Sequence, residues 1–339
     1  MMTKRTAYVR SVGRFLPERK LTNKDFEKMV DTTDEWIVSR TGIHERRILT
    51  PGLGNSSMAV PAAKDCIERA GVDPAEIDVV IVATVTPDML FPATACLVAR
   101  DIGAKNAWGF DLNAGCCGFL YSMSVAVQML ESGRMKKALV VGSDVMSTIA
   151  DYSDRNTCVL FGDAAGAILL DSCSEAGHGV LDFILHIDGA GEPYLHMKAG
   201  GSRKPPSHET VEKREHFIYQ DGRNVFKTAV KEMADVSAEI LTRNGLTGND
   251  ISLFVPHQAN LRIIDAAARR MGIENGKVIK NIDKYGNTTS ATLPLALYEA
   301  AVEKKYQLNK GDYVVMAAFG AGYTWGSVLL RWWEQENGA

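Results

Sequence analysis

The sequence predicts an α/β protein made of two similar halves, each a mostly parallel sheet covered by helices. Three observations carry this expectation. Apolar, β-branched runs alternate with helix-length segments along most of the 339 residues. These runs fall into an earlier and a later series of comparable spacing. Finally, Gly71-Val72-Asp73-Pro74-Ala75-Glu76-Ile77 is matched in kind by Gly245-Leu246-Thr247-Gly248-Asn249-Asp250-Ile251, each a turn, then an acidic residue, then a buried strand. Two unrelated α/β domains with generic punctuation are the plainer alternative, and the matched order of elements favours duplication.

In chain order, the earlier series is Ile77–Thr86, Trp108–Asn113, Lys137–Gly142 and Ala165–Leu170. The later one is Ile251–Val255, Lys277–Ile282, Tyr313–Ala318 and Ser327–Trp332. Between them the pattern breaks over Asp188–Gly222, with Gly189, Gly191, Gly200, Gly201 and Pro205-Pro206 among charges, as in a functional loop or a surface excursion. A helix then runs from near Val225 to about Arg243, with Phe226, Val230, Met233, Ala234 and Ile240 at helical spacing. The predicted division is an N-terminal half over 1–180, an irregular linking excursion over 181–222 and a C-terminal half over 223–339.

Composition narrows the function. A hydrophobic fraction of 46%, a charged fraction of 23% and a net charge of -3 describe an ordinary globular chain and argue against nucleic acid as the main ligand. The stretch Met1–Arg14 lacks the apolar core of a leader, and no run approaches a membrane span, so a cytoplasmic protein is expected. Cysteines 66, 96, 116, 117, 158 and 173 show no paired CxxC spacing and are too sparse for a disulfide scaffold. Reduced thiols and no metal are expected.

One cysteine has a distinctive setting. Asp111-Leu112-Asn113-Ala114-Gly115-Cys116-Cys117-Gly118-Phe119 lies where a strand yields to a helix running to about Glu131. Small residues there permit a sharp turn and close approach of a ligand. A helix N-terminus favours thiolate and offers backbone N–H groups to an oxyanion. On local context alone, Cys116 reads equally as a nucleophile or as a small core residue. The core reading suits Cys66, Cys96, Cys158 and Cys173, and Cys117 should point away from any site.

A nucleophilic cysteine acting on an acyl group needs a proton handler and an oxyanion stabiliser. Of seven histidines, His44, His178, His186, His196, His208 and His216 sit mostly in polar loop contexts. His257, in Pro256-His257-Gln258-Ala259-Asn260, instead follows a buried strand at the end where α/β sheets gather ligands. The turn Tyr285-Gly286-Asn287-Thr288-Thr289-Ser290 is the duplicate of the cysteine turn, so Asn287 is either a plain helix cap or an amide donor facing Cys116. Phe319-Gly320-Ala321-Gly322-Tyr323-Thr324-Trp325-Gly326 is either a hairpin turn or a source of a backbone oxyanion donor.

With Asp34-Glu35-Trp36-Ile37-Val38-Ser39-Arg40-Thr41-Gly42-Ile43, these motifs in this order resemble β-ketoacyl-acyl carrier protein synthase III, the initiating condensing enzyme of bacterial type II fatty acid synthesis. The resemblance spans nearly the whole chain. It implies a thiolase fold, duplicated βαβαβαββ halves packed as a five-layer αβαβα sandwich, with a Cys116–His257–Asn287 triad. It also implies a homodimer, with acyl-CoA and malonyl-acyl carrier protein as substrates and no cofactor. Asparagine rather than a second histidine points to the priming subclass. The family's coenzyme A positions fall on Trp36, Arg40, Arg155, Phe226, Ala259 and Asn260. Phe91 matches a residue inserted into the partner's acyl pocket, and Arg262 and Lys227 match cations that greet the carrier protein.

The implied mechanism is a decarboxylative Claisen condensation. Cys116 takes the acyl group while the backbone N–H groups of Cys116 and Ala321 hold the oxyanion; His257 Nε2 and Asn287 then stabilise the malonyl enolate. Departures from the family pattern are Ala321 within Gly-Ala-Gly, where three glycines are common, and Gly115 and Cys117, both in place of alanine. The 188–222 excursion also matches poorly, leaving the primer's acyl chain open. A secondary-metabolic condensing enzyme on CoA thioesters is the nearest rival, followed by a cysteine thioester hydrolase.

Overall fold

The computed structural model describes residues 5–333, so the first four residues of the Met1–Arg14 stretch lie outside it. Five strands form one sheet: β1 (Thr6–Phe15), β2 (Val79–Ala83), β3 (Trp108–Leu112), β4 (Lys137–Asp144) and β5 (Ala164–Cys173), in the order β1-β5-β4-β2-β3. Four form a second: β6 (Gly179–Ile187), β7 (Ile251–Pro256), β8 (Tyr313–Gly320) and β9 (Thr324–Arg331), in the order β7-β8-β9-β6. Strand β2, Val-Val-Ile-Val-Ala, is buried at every residue. Its apolar run does not alternate because helices cover both faces.

Six helices of nine residues or longer supply that cover: α1 (Ser56–Ala70), α2 (Thr94–Ile102), α3 (Gly118–Glu131), α4 (Gly222–Arg243), α5 (Leu261–Met271) and α6 (Thr292–Ala301). Helices α3 and α6 lie between the sheets, in a core that joins Phe119, Leu120, Met123 and Leu293 to strand residues of both. Helices α1 and α2 cover the outer face of the first sheet, and α4 and α5 that of the second. The layers are therefore αβαβα, the thiolase fold.

The duplication is visible in detail. The turns before β2 and β7 each open on a left-handed glycine, Gly71 at φ 61° and Gly245 at φ 68°. Each continues through a capped 3₁₀ turn, closed by Asp73 with Glu76 and by Thr247 with Asp250. Such capping satisfies backbone donors that would otherwise be stranded beside a buried strand.

Several expectations are corrected. The sheets are mixed, since β1–β5 and β4–β5 run antiparallel while β2 runs parallel to β3 and β4. The second sheet holds one parallel and two antiparallel pairs. The expected strand Lys277–Ile282 is reduced to a bridge between Phe254 and Val278, and Ile282–Tyr285 is helical. Residues 181–187, read as linking excursion, belong to strand β6 and pair with β9 along its length. Their alternation is blunted by exposed Leu181 and Ile187, so apolar periodicity could not reveal a strand. Beyond it the excursion forms a 3₁₀ stretch over Gly189–Tyr194 and two short paired strands, Leu195–Met197 and Ile218–Gln220. Cys96 is exposed and Cys173 half-exposed rather than core; His178 is buried, 3.1 Å from Cys173 Sγ.

Candidate active site

A cavity of about 1250 Å³ opens where the two sheets' strand ends meet, larger than most small-molecule sites and suited to an extended ligand. Cys116, His257 and Asn287 all line it. Cys116 sits two residues before α3, in a turn interlocked with the β8–β9 hairpin. A Cβ on Gly320 would lie 2.5 Å from Cys116 N, and one on Gly115, at φ 56°, would lie 2.8 Å from Ala321 N. Only glycine lets the two backbones meet this closely, which brings the Cys116 and Ala321 amides to one rim. Thr324 Oγ1 clamps the turns, lying 2.8 Å from Ala114 O and 3.0 Å from Ala321 O with its one hydrogen shared between them. The glycine-rich segment is thus a hairpin turn as well as part of the cavity wall.

The thiol's electrostatics differ from the helix-terminus expectation. Burial first, and the nearby Asp144 carboxylate second, push Cys116 up to about 12. The neutral thiol is favoured at rest, so a reaction through it needs a proton acceptor. Cys117 points elsewhere, with its Sγ 3.2 Å from Thr324 O in the core between the sheets.

His257 follows β7 and is 1% exposed. Its backbone N–H donates to Ala317 O at 2.7 Å and its Nδ1 lies 2.7 Å from Thr292 Oγ1. Its Nε2 has no hydrogen-bonding partner among the described residues. Burial pushes its pKa down to about 3, so the imidazole is neutral. Gln258 braces the segment: its Nε2 donates to Pro256 O and Ile279 O, and its Oε1 accepts from Asn281 and Ile282 N–H.

Asn287 is held by the first half of the chain. Its N–H donates to Leu160 O at 2.9 Å and its carbonyl accepts from Gly162 N–H at 3.1 Å. Thr289 N–H donates to Asn287 Oδ1 at 2.9 Å. That bond assigns the amide oxygen, leaving its NH₂ as the donor. Beneath it, the buried Asp144 carboxylate accepts from Ser290 N–H at one oxygen, with Ser290 Oγ beside it and 2.8 Å from Ala83 O, and from Thr84 Oγ1, Val85 N–H and Thr86 Oγ1 at the other. Burial raises its pKa. Four committed donors nevertheless surround it, an arrangement suited to the ionised form, while the Ser290 hydroxyl has one hydrogen for both Asp144 and Ala83 O.

The outer cavity holds most of the predicted coenzyme A positions. Trp36, Arg40, Phe226, Ala259 and Asn260 line it. Arg155 does not, but its guanidinium lies 5.5 Å from the Trp36 ring, beside that of Arg40 at 5.1 Å. Asn260 caps α5 through Arg262 N–H and donates to Arg40 O, tying the Trp36 helix to the exit of β7. Arg262 is exposed and stacks on Phe226 at 4.6 Å; Lys227 is exposed and outside the lining. Phe91 is 84% exposed and does not line its own chain's cavity.

Sequence reasoning missed Thr292 and Asp144, and it left the excursion open between a functional loop and a surface element; its Leu195, Met197, Ile218 and Tyr219 form cavity wall. Alternating apolar residues at 195 and 197 were the available signal for the last.

Two family descriptions match, 3-oxoacyl-[acyl-carrier-protein] synthase III over residues 110–189 and its C-terminal region over 241–332. A β-ketoacyl-[acyl-carrier-protein] synthase III of Koribacter versatilis is 50% identical over 98% of this chain and 99% of its own. The crystal structure of the Aquifex aeolicus 3-oxoacyl-[acyl-carrier-protein] synthase III superposes with a TM-score of 0.87 at 42% identity, covering 96% of this chain and 100% of the other. The priming β-ketosynthase of the R1128 polyketide pathway superposes at 0.90 with 36% identity, covering 99% of each.

Proposed function

This chain belongs to the β-ketoacyl-[acyl-carrier-protein] synthase III family, and we propose that it condenses an acyl-CoA primer with malonyl-acyl carrier protein through Cys116 to begin fatty acid synthesis. The observation that carries this reading is the shared cavity wall of Cys116, His257 and Asn287, with the Asn287 amide turned by Thr289 to offer its NH₂.

The Cys116 thiol gives its proton to His257 Nε2 and attacks the primer's thioester carbon. The Cys116 and Ala321 N–H groups hold the tetrahedral oxyanion, and CoA leaves with the proton. Malonyl-carrier protein follows. As CO₂ departs, the Asn287 NH₂, joined by His257 when Nε2 is protonated, stabilises the enolate that attacks the acyl-cysteine. No cofactor enters this chemistry. The nucleotide end of CoA rests against Trp36, Arg40 and Arg155, where an aromatic ring among guanidinium groups suits adenine and phosphate. Arg262 and Lys227 face the acidic carrier protein. Exposed Met89, Leu90 and Phe91 beside edge strand β3 suit a homodimer in which Phe91 enters the partner's acyl pocket. Among the described residues no helix is long and apolar enough to cross a membrane, and we place the enzyme in the cytoplasm.

The likeness to a polyketide priming synthase supports a second reading, the same reaction serving a secondary pathway. Intact-protein mass spectrometry with an acyl-CoA panel, followed by malonyl-carrier protein or malonyl-CoA, tests both. An acyl adduct at Cys116 consumed by malonyl-carrier protein is expected. Preference for malonyl-CoA favours the second reading, and an adduct confined to Cys117 overturns both.

A further inference from the structure

Thr292, the first residue of α6, is buried, and its hydroxyl stands between two groups of the site. Its Oγ1 lies 3.0 Å from Thr289 O and 2.7 Å from His257 Nδ1. A carbonyl oxygen can only accept, and a hydroxyl carries one hydrogen. Two oxygens at 3.0 Å need that hydrogen between them, or their lone pairs face each other. The hydroxyl therefore donates to Thr289 O and presents a lone pair to Nδ1, which must carry the imidazole hydrogen. In a neutral imidazole, Nε2 is then bare. That matches an Nε2 that is buried and without a partner among the described residues, in a residue lining the cavity that Cys116 also lines.

We propose that Thr292 is a positioning residue that holds His257 as its Nδ1–H tautomer, so that Nε2 enters the reaction as a lone pair and receives the Cys116 proton. The proposal rests on the condensing-enzyme reading and assigns the tautomer to a residue outside the triad. In the step itself the S–H bond breaks and the N–H bond forms at Nε2. Thiolate faces an imidazolium whose Nδ1–H remains on Thr292. The sulfur then bonds to the thioester carbon, the bond to CoA sulfur breaks, and the Nε2 proton leaves on CoA. His257 returns to the starting tautomer. It can donate to an enolate oxygen only while it holds a proton at Nε2, so the fixed donor of the second half-reaction is Asn287.

Nitrogen-15 NMR of histidine-labelled enzyme, with His257→Gln to assign the resonances, reads the tautomer directly. Wild type and Thr292→Ser should show protonated Nδ1 and bare Nε2, and Thr292→Val should show a mixture. Alkylation of Cys116 by iodoacetamide should slow in Thr292→Val by the fraction of His257 that has left the Nδ1–H form, and recover in Thr292→Ser. Protonated Nε2 with bare Nδ1 in wild type overturns the proposal, as does Thr292→Val with unchanged tautomer and unchanged alkylation. If Thr292→Val fails to fold, the wild-type and Thr292→Ser spectra still decide. Failure of the condensing-enzyme reading would look different: the expected tautomer and alkylation, but no acyl adduct from acyl-CoA.

Discussion

The Cys116 turn and the Asn287 turn occupy the same slot of the two halves, before α3 and before α6, yet they are built differently. In the first half the preceding strand, β3, is complete and parallel to β2 over five residue pairs. In the second half its counterpart has shrunk to the Phe254–Val278 bridge. The Cys116 turn is held by the other half's hairpin, through Gly320 and Thr324. The Asn287 turn is held by first-half groups, Leu160, Gly162 and Asp144. Each half supplies one of these two turns and anchors the other's.

The comparison breaks hardest at its reacting atoms. Cys116→Ala should abolish the acyl adduct seen by intact-protein mass spectrometry, because among the described residues no second thiol lines the cavity. Asn287→Ala should leave the adduct intact but slow condensation by roughly 10²–10³-fold, the usual loss for one oxyanion donor. Single-turnover formation of β-ketoacyl product checks this. Equal slowing of both steps would mean that the two turns do not divide the reaction.

Cross-anchoring is tested by Asp144→Asn, which sets an amide among four committed donors. A loss of about 1–3 kcal/mol in denaturant unfolding is expected, the cost of a mismatched buried hydrogen-bonding group. Because the Asp144 charge also raises the Cys116 pKa, the surviving enzyme should alkylate at lower pH than wild type. The smallest effect concerns acid. His257 is held down to about 3, and its neutral form is the proton acceptor, so acylation should not fall as pH drops through about 6.5, where an ordinary histidine charges. CoA release followed from pH 8 to 5 reads this; a loss centred near 6.5 would show that His257 is solvated rather than buried.

Much of this was legible in the chain. The strand core at Val79–Ala83, the helix Gly118–Glu131 and the matched turns at Gly71 and Gly245 announce themselves through local chemistry. The cysteine turn and the histidine after β7 stood out by the small or polar residues that end their strands, but local context left Cys116 balanced between a nucleophile and a core residue, and only the family resemblance chose. Strand β1 was not read, since Arg10 and Arg14 interrupt its apolar pattern and pair with Asp171 and Glu303 across the fold. Strand β6 was hidden by exposed apolar residues at 181 and 187. The Lys277–Ile282 segment has strand composition but pairs only at Val278, a matter of which neighbour remains to pair with.

Periodicity and turn chemistry act over a few residues, so the order of elements can be read along the chain, and the candidate reactive groups were narrowed there only by the resemblance of the motifs to a family. Protonation states cannot be read along it. The thiol pushed up by burial, the imidazole pushed down by it, the oriented Asn287 amide and the hydroxyl of Thr292 against Nδ1 all depend on groups far apart in sequence. Desolvation and hydrogen-bond direction are properties of the assembled interior, and they exist only once the two halves have closed on each other.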